Sequence, residues 1–217
     1  MRRYFTNIIF LCFCGLLLGQ TPTPMVTIKG GSYVPLYGVK GENKATKPVN
    51  VKSFQLDIYP VTNAQYKAFL EKHPEWQRSR VKGIFAQKSY LSHWQSDLDF
   101  SPLDAQAPVT HISWFAAKKY CECEGKRLPT TDEWEYVAQA DAQSIDARKK
   151  KHYQEYIVRS MQTPKTYLQK VGSTPKNYWG IYDMHGLVWE WVADFNSVLL
   201  SGDSRKDKQG DDALFCG

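Results

Sequence analysis

The stretch NYWGIYDMHGLVWEW, residues 177–191, is the most informative part of this 217-residue sequence. It contains three tryptophans and two tyrosines, and its end alternates as an extended segment does. The alternation predicts Leu187, Trp189 and Trp191 on one face and Glu190 on the other. A carboxylate in so apolar a setting stays ionised only beside a cation or hydrogen-bond donors. This leaves two partners open: an arginine or lysine, or a bound hard cation.

Two glycines in the same stretch, Gly180 and Gly186, favour the bound cation. Glycine marks positions where the backbone turns or is closely approached. Such positions bring main-chain carbonyl oxygens beside a carboxylate, and calcium is bound by oxygen atoms of both kinds. The cation interpretation therefore predicts calcium.

Length and the N-terminal sequence indicate one exported domain. Arg2 and Arg3 precede an apolar run at residues 8–18, which is too short to cross a bilayer as a helix. This pattern predicts a signal peptide over residues 1–20, followed by a domain over residues 21–217 that is long enough to bury a real core. We expect a periplasmic or secreted protein with no stable membrane anchor.

Charge and histidine spacing argue against two classes of function. Without the signal peptide the chain keeps 26 basic against 22 acidic residues, a balance too mild and too dispersed to predict nucleic-acid binding. The five histidines show no paired helical spacing, which argues against a zinc or iron site built on them. His111 in particular is interpreted as a structural histidine.

Strand patterns occur in three places. Residues 25–36 alternate weakly around a glycine pair and predict a hairpin, and residues 47–59 continue with a period near two. We expect both segments in one small sheet. A further short strand is predicted over residues 108–114.

Three helix starts are signalled by capping residues. Thr62 and Thr130 each have a reciprocal Gln or Glu three residues later, and Ser113 precedes a third helix. Between these helices, the aromatic-rich residues 75–107 lack periodicity, and we interpret them as an irregular packed lobe. The polar residues 141–171 predict an exposed insertion with one helix and no catalytic role.

Cysteines beyond the signal peptide are odd in number: Cys121, Cys123 and Cys216. An odd count in an exported chain leaves at least one thiol without a partner in the chain. The spacing of Cys121 and Cys123 is too tight for the usual redox pair and poor for a mutual disulfide.

Five blocks of the sequence, in order, resemble the formylglycine-generating enzyme family, also called sulfatase-modifying factor. They read GGSY, YPVTNAQY, VTHISW, GKRLPTTDEWEY and GIYDMHGLVWEW, at residues 30–33, 59–66, 109–114, 125–136 and 180–191. The resemblance implies an α+β domain of the sulfatase-modifying-factor fold, akin to C-type lectin domains. Such a domain has little regular secondary structure, with short antiparallel strands and about three helices.

The resemblance also implies two metals. Calcium is expected at the Trp-Glu-Trp block, bound by the Glu190 side chain and by backbone oxygens of His185, Gly186 and Val188. Family enzymes oxidise a cysteine of a sulfatase to formylglycine with oxygen, using two cysteines that hold copper(I), the ion that soft thiolates prefer. Cys216 falls roughly where the first of these cysteines is expected.

Three departures from the family pattern change the expected activity. Leu187 replaces the usual asparagine, and residues 141–171 contain no match to a second calcium-binding segment. The family's second catalytic cysteine, its arginine-rich strand and its final Gly-Phe-Arg segment have no counterpart after residue 191, although in some relatives Cys121 pairs with a cysteine there. We therefore expect a C-terminally incomplete member that lacks oxidase activity.

The partner is expected to be a sulfatase or another exported protein. The alternative function is a non-catalytic structural or ligand-binding domain on the same scaffold. A cysteine pair is the feature that separates the two functions, because fold similarity alone does not.

Overall fold

The computed structural model describes residues 23–36, 47–162 and 169–194. The predicted signal peptide and Cys216 lie outside these residues. The described elements are β1 Met25–Ile28, β2 Gly31–Tyr33, β3 Val49–Val51, β4 Phe54–Asp57, α1 Asn63–Lys72, α2 Trp114–Cys123, α3 Thr131–Ala138 and α4 Lys151–Gln162, with a 3-10 turn at Pro74–Trp76. This α+β architecture with little regular structure confirms the predicted fold class. None of the described helices is long and apolar enough to cross a membrane.

The strands pair differently from the prediction. Strands β1 and β2 do not form a hairpin; β1 pairs antiparallel with β4, and β2 pairs antiparallel with β3. The result is two two-stranded sheets instead of one small sheet. Gly30 explains the break, because its position lies so close to the facing backbone that an added Cβ would be 2.5 Å from the Val51 carbonyl oxygen. The Gly30 N–H instead donates to the Ser53 hydroxyl, outside both ladders.

The predicted helix starts are confirmed. Thr62 and Thr130 form complete capping boxes with Gln65 and Glu133, and the Ser113 hydroxyl accepts from the third backbone N–H of its helix. These bonds satisfy backbone donors that a helix N-terminus otherwise leaves unpaired. The helix predicted within residues 141–171 is α4, whose Tyr153 is buried.

The strand predicted over residues 108–114 is absent. The segment contributes a single antiparallel bridge, between Thr62 and Pro108. His111 has a φ of 55°, in the left-handed region, which no regular strand tolerates. The prediction was wrong because alternation of residue types does not report a backbone reversal.

Two hydrophobic clusters form the core. The first joins α1 and α2 to the irregular lobe, whose Tyr90 and Trp94 are buried as predicted. The second joins the strands to α3 and to Ile181 and Met184 of the stretch at residues 177–191. Helix α3 therefore packs directly against the segment that carries the candidate site.

Replacing Thr130 by Ala tests how far the capping box of α3 stabilises this arrangement. The variant loses the hydroxyl that accepts from the Glu133 N–H, and we expect the free energy of unfolding to fall by about 1 kcal/mol. Urea denaturation measures the change. Thr130→Ser keeps the hydroxyl and serves as the control; equal losses in both variants would mean that the cap does not carry the effect.

Candidate metal centre

Glu190 is held by helix α3 and not by a basic side chain. The Trp134 indole N–H donates to the Glu190 carboxylate at 2.7 Å. No arginine or lysine forms an ion pair with Glu190 within the residues that the structure describes. Burial raises the pKa of Glu190 to about 7, the Trp134 bond lowers it, and the nearby Asp183 carboxylate raises it further. Glu190 is therefore a half-buried carboxylic acid with one hydrogen-bond donor, the Trp134 indole, and with no basic partner among the described residues.

The alternation predicted for this segment holds only in part. Trp189 and Trp191 turn outward, with 93% and 37% of their surfaces exposed, while Glu190 faces the protein. Leu187, predicted to share the tryptophan face, is buried. The segment is extended but belongs to no strand among the described elements, so no sheet enforces a strict two-residue period.

The segment after Glu190 is fixed to the starts of α2 and α3. The Trp114 indole donates to the Val192 carbonyl at 2.9 Å, and the Ala193 N–H donates to the Pro129 carbonyl at 2.8 Å. The Asp194 carboxylate accepts from both the backbone N–H and the hydroxyl of Thr131. These contacts set the position of Glu190 from the C-terminal side.

Asp183 fixes the stretch from the N-terminal side. It is fully buried with a φ of 62°, and its carboxylate accepts from the Gly172 and Thr174 backbone N–H groups. The Thr174 hydroxyl in turn accepts from the Asp183 N–H at 2.8 Å. The sequence analysis missed this residue, although its position between the two glycines marked it as part of the same turn.

His185 is anchored by its side chain as well as its backbone. Its Nε2 lies 2.8 Å from the Ala138 carbonyl oxygen, so this nitrogen carries the proton and donates, and it is also 2.9 Å from the Tyr153 hydroxyl. Burial lowers the pKa of His185. The Tyr156 hydroxyl donates to the His185 carbonyl at 3.3 Å. Helix α4, predicted as an exposed insertion, thus supports the candidate site.

Gly186 and Val188 complete the predicted ligand set. Gly186 has a φ of 92°, and an added Cβ would lie 2.9 Å from the Ser160 Cβ of α4, so no other residue fits there without a shift. Val188 is half-buried and lines the same cavity as Glu190. The four predicted residues therefore lie in one bend that packs on α3 and α4.

The donors in this bend suit a hard cation. They are oxygen atoms, and the acid among them has no cationic partner in the described part of the chain, while a second carboxylate, Asp183, disfavours its ionisation. No group of three metal-ligating side chains occurs among the described residues, so the carbonyl oxygens of His185, Gly186 and Val188 would supply most of the coordination. When bound, calcium would neutralise Glu190 and hold the bend closed.

The described thiols do not suit copper(I). Cys121 is largely buried, and burial raises the pKa of its thiol to about 11, whereas Cys123 is exposed. Two residues apart on a helix, these side chains point in different directions and cannot share one ion. Cys216 lies outside the described residues, and its catalytic role stays a prediction.

A cavity of about 910 Å³ adjoins the bend. The residues that line it include strand β4, Lys126 in the loop after α2, and Glu190. Within the described residues β4, which lines this cavity, pairs only with β1, so one of its two backbone edges has no strand beside it.

The protein family can now be stated from a comparison with known families. The family model described as a sulfatase-modifying factor enzyme 1-like domain matches residues 18–216. The chain belongs to this family, and the resemblance found in the five sequence blocks is confirmed.

Individual relatives differ in what their names say. The chain is 33% identical over 180 residues to the serine/threonine-protein kinase pkn1 of Chlamydia caviae, covering 80% of this chain but only 28% of the kinase's length. It is 28% identical to the inactive C-alpha-formylglycine-generating enzyme 2 of Mus musculus, covering 86% of this chain and 74% of that protein. It is also 28% identical to the formylglycine-generating enzyme of Mus musculus, covering 90% and 65%. Among solved structures, CarF matches with a TM-score of 0.49 and 19% identity over 79% of this chain and 80% of its own.

Glu190→Gln tests calcium binding. The amide keeps an oxygen for the Trp134 indole but removes the charge, so the wild type is expected to gain about 3 kcal/mol of stability at calcium concentrations 100-fold above its Kd, and the variant little or none. Thermal unfolding with calcium and with chelator measures the difference. Glu75→Gln, at an exposed position in the 3-10 turn, is the control. An equal calcium response in wild type and Glu190→Gln would contradict the assignment.

The raised pKa of Glu190 predicts a pH dependence in chelator. Between about pH 4.5 and 7 the folded protein holds a proton that the unfolded chain has released, so stability falls as the pH rises, by at most about 3 kcal/mol. Denaturation at several pH values measures the slope. Glu190→Gln is expected to flatten it; an unchanged slope would mean that another group is responsible.

Proposed function

We infer that this polypeptide is an exported, non-oxidising domain on the formylglycine-generating scaffold, stabilised by calcium and bound to another exported protein. The observation that carries the inference is the state of the described thiols. Copper-based cysteine oxidation needs two converging thiolates, and Cys121 and Cys123 do not converge.

The raised pKa of Cys121 supports the same conclusion. At neutral pH a thiol with a pKa near 11 is almost entirely protonated, whereas the thiolate is the form that ligates metals and attacks as a nucleophile. The nearby Asp57 carboxylate also raises this pKa, and the Lys126 ammonium that pairs with Asp57 at 2.6 Å only partly opposes it. Cys121 is therefore suited to packing and not to copper chemistry.

The relatives are compatible with a loss of activity. One is named an inactive C-alpha-formylglycine-generating enzyme and another a formylglycine-generating enzyme, at the same 28% identity to this chain. Membership of the family therefore leaves the activity to be decided by the site. The retained features here are those of the calcium bend, which shapes the wall of the large cavity.

The export and partner proposals rest on the N-terminal pattern and on the resemblance. An exported domain with an unpaired strand edge beside a large cavity can accept an extended segment of another protein, whose backbone would pair with β4. A sulfatase precursor is the partner that the resemblance implies.

A turnover assay tests the proposal. The purified chain, supplied with copper(I), oxygen and a reductant, is expected to leave a sulfatase-derived cysteine peptide unchanged, as followed by mass spectrometry of the peptide. An active formylglycine-generating enzyme in parallel verifies the assay. Conversion that Cys216→Ser abolishes would overturn the proposal and make Cys216 the catalytic thiol.

A further inference from the structure

Two histidines outside the calcium bend lie in direct contact. The rings of His93 and His111 are 4.5 Å apart between centroids, with an angle of 41° between their planes. They come from different segments, the irregular lobe and the loop before α2. Neither residue takes part in the proposed calcium site.

The ring nitrogens of this pair converge on one atom. Nε2 of His93 lies 3.3 Å, and Nδ1 of His111 lies 3.2 Å, from the hydroxyl oxygen of Thr110. A hydroxyl has a single proton, so it can donate to only one of the two rings. Both distances are also at the long end for hydrogen bonds to oxygen, which leaves the rings room to turn.

The backbone adopts a left-handed conformation at two residues next to this histidine pair. His111 and Leu91 are both non-glycine residues in the left-handed region, with φ values of 55° and 47°, and the Leu91 N–H donates to the His111 carbonyl at 2.8 Å. Such a conformation is strained for a residue with a side chain and persists only where its surroundings impose it. Here the two reversals bring the two rings together. Arg78 fixes the lobe side by donating to the carbonyls of Leu91 and Trp94.

We propose that His93 and His111 form an exchangeable binding site for a borderline divalent ion such as Zn²⁺. A zinc–nitrogen bond is about 2.0–2.1 Å, and the two ring nitrogens lie 3.3 and 3.2 Å from the Thr110 oxygen, so an ion between the rings requires both to rotate toward it. His111 is exposed and has space for this rotation. Thr110 or water completes the coordination.

The chemistry of the pair selects the ion. Imidazole nitrogens favour Zn²⁺, Ni²⁺ and Cu²⁺ over calcium, which takes oxygen ligands, so this site and the calcium bend do not compete. Burial, with smaller contributions from His111 and Arg78, lowers the pKa of His93. The argument from sequence spacing against a histidine site does not apply, because these two residues meet through tertiary packing.

The site is expected to be labile. Nδ1 of His93 is buried without a hydrogen-bond partner in the described part of the chain, so His93 lacks the outer acceptor that orients histidines in permanent zinc sites. The charged guanidinium of Arg78 is also close enough to lower the affinity for a cation. Two protein nitrogens leave open positions that solvent or a ligand can fill.

Titration of the full chain with Zn²⁺, in excess calcium and with histidine ring nitrogens labelled for NMR, tests the proposal. We expect the ring signals of His93 and His111 to shift together and to saturate at one ion. His111→Asn removes one ligand and suits the left-handed backbone, since asparagine tolerates it; His93→Gln removes the other. Each variant is expected to bind Zn²⁺ at this position at least about tenfold more weakly.

His152→Asn is the matched control, since His152 is exposed and pairs with a carboxylate elsewhere, at Asp141. It is expected to leave the paired shift unchanged. If His93→Gln does not fold, as judged by its thermal transition, the exposed His111→Asn variant decides alone. Absence of a joint shift in the wild type, or an unchanged zinc affinity in a folded His111→Asn variant, would overturn the proposal.

Discussion

The hydrogen bond from the Trp134 indole to the Glu190 carboxylate is the contact on which this architecture depends. It joins two segments that are 56 positions apart in sequence, the middle of α3 and the end of the aromatic stretch. The strands and Ile181 pack on one side of that junction, and the bend at Gly186 packs on α4. A single neutral donor only partly offsets the burial that raises the pKa of Glu190, and this is the reason for proposing a bound cation.

Two carboxylates of the stretch at residues 177–191 are held in different ways. Asp183 is satisfied by backbone N–H groups and serves as a structural anchor, whereas Glu190 has one indole donor. Burial, and to a smaller extent the Asp183 charge, raise the pKa of Glu190, which favours its protonated form or a bound cation. The proposed calcium site would make the stability of this bend depend on the calcium concentration, independently of any oxidase chemistry.

Structural features that depend on residues close in sequence were predictable, and features that depend on contacts between distant residues were not. The capping boxes at Thr62 and Thr130 were found because donor and acceptor lie three residues apart. In the candidate site, the sequence indicated a carboxylate in an apolar setting at Glu190. It did not indicate the hydrogen-bond donor, because no sequence pattern links Glu190 to Trp134. The false hairpin and the false strand through His111 have one cause: alternation shows which residues face a core, while partner choice and left-handed reversals depend on tertiary contacts. The contact between the His93 and His111 rings was not predictable for the same reason.

The exposure of Trp189 has a practical consequence. With 93% of its surface open to solvent, its indole lies directly in water, while Trp94 is buried and Trp134 is largely enclosed. Its fluorescence should accordingly be the most accessible to a collisional quencher such as acrylamide. Any protein or ligand that settles over the cavity mouth would shield this ring and move its emission to shorter wavelength. The molecule therefore carries a built-in optical probe beside the proposed metal site, which would report occupancy of the cavity without labelling.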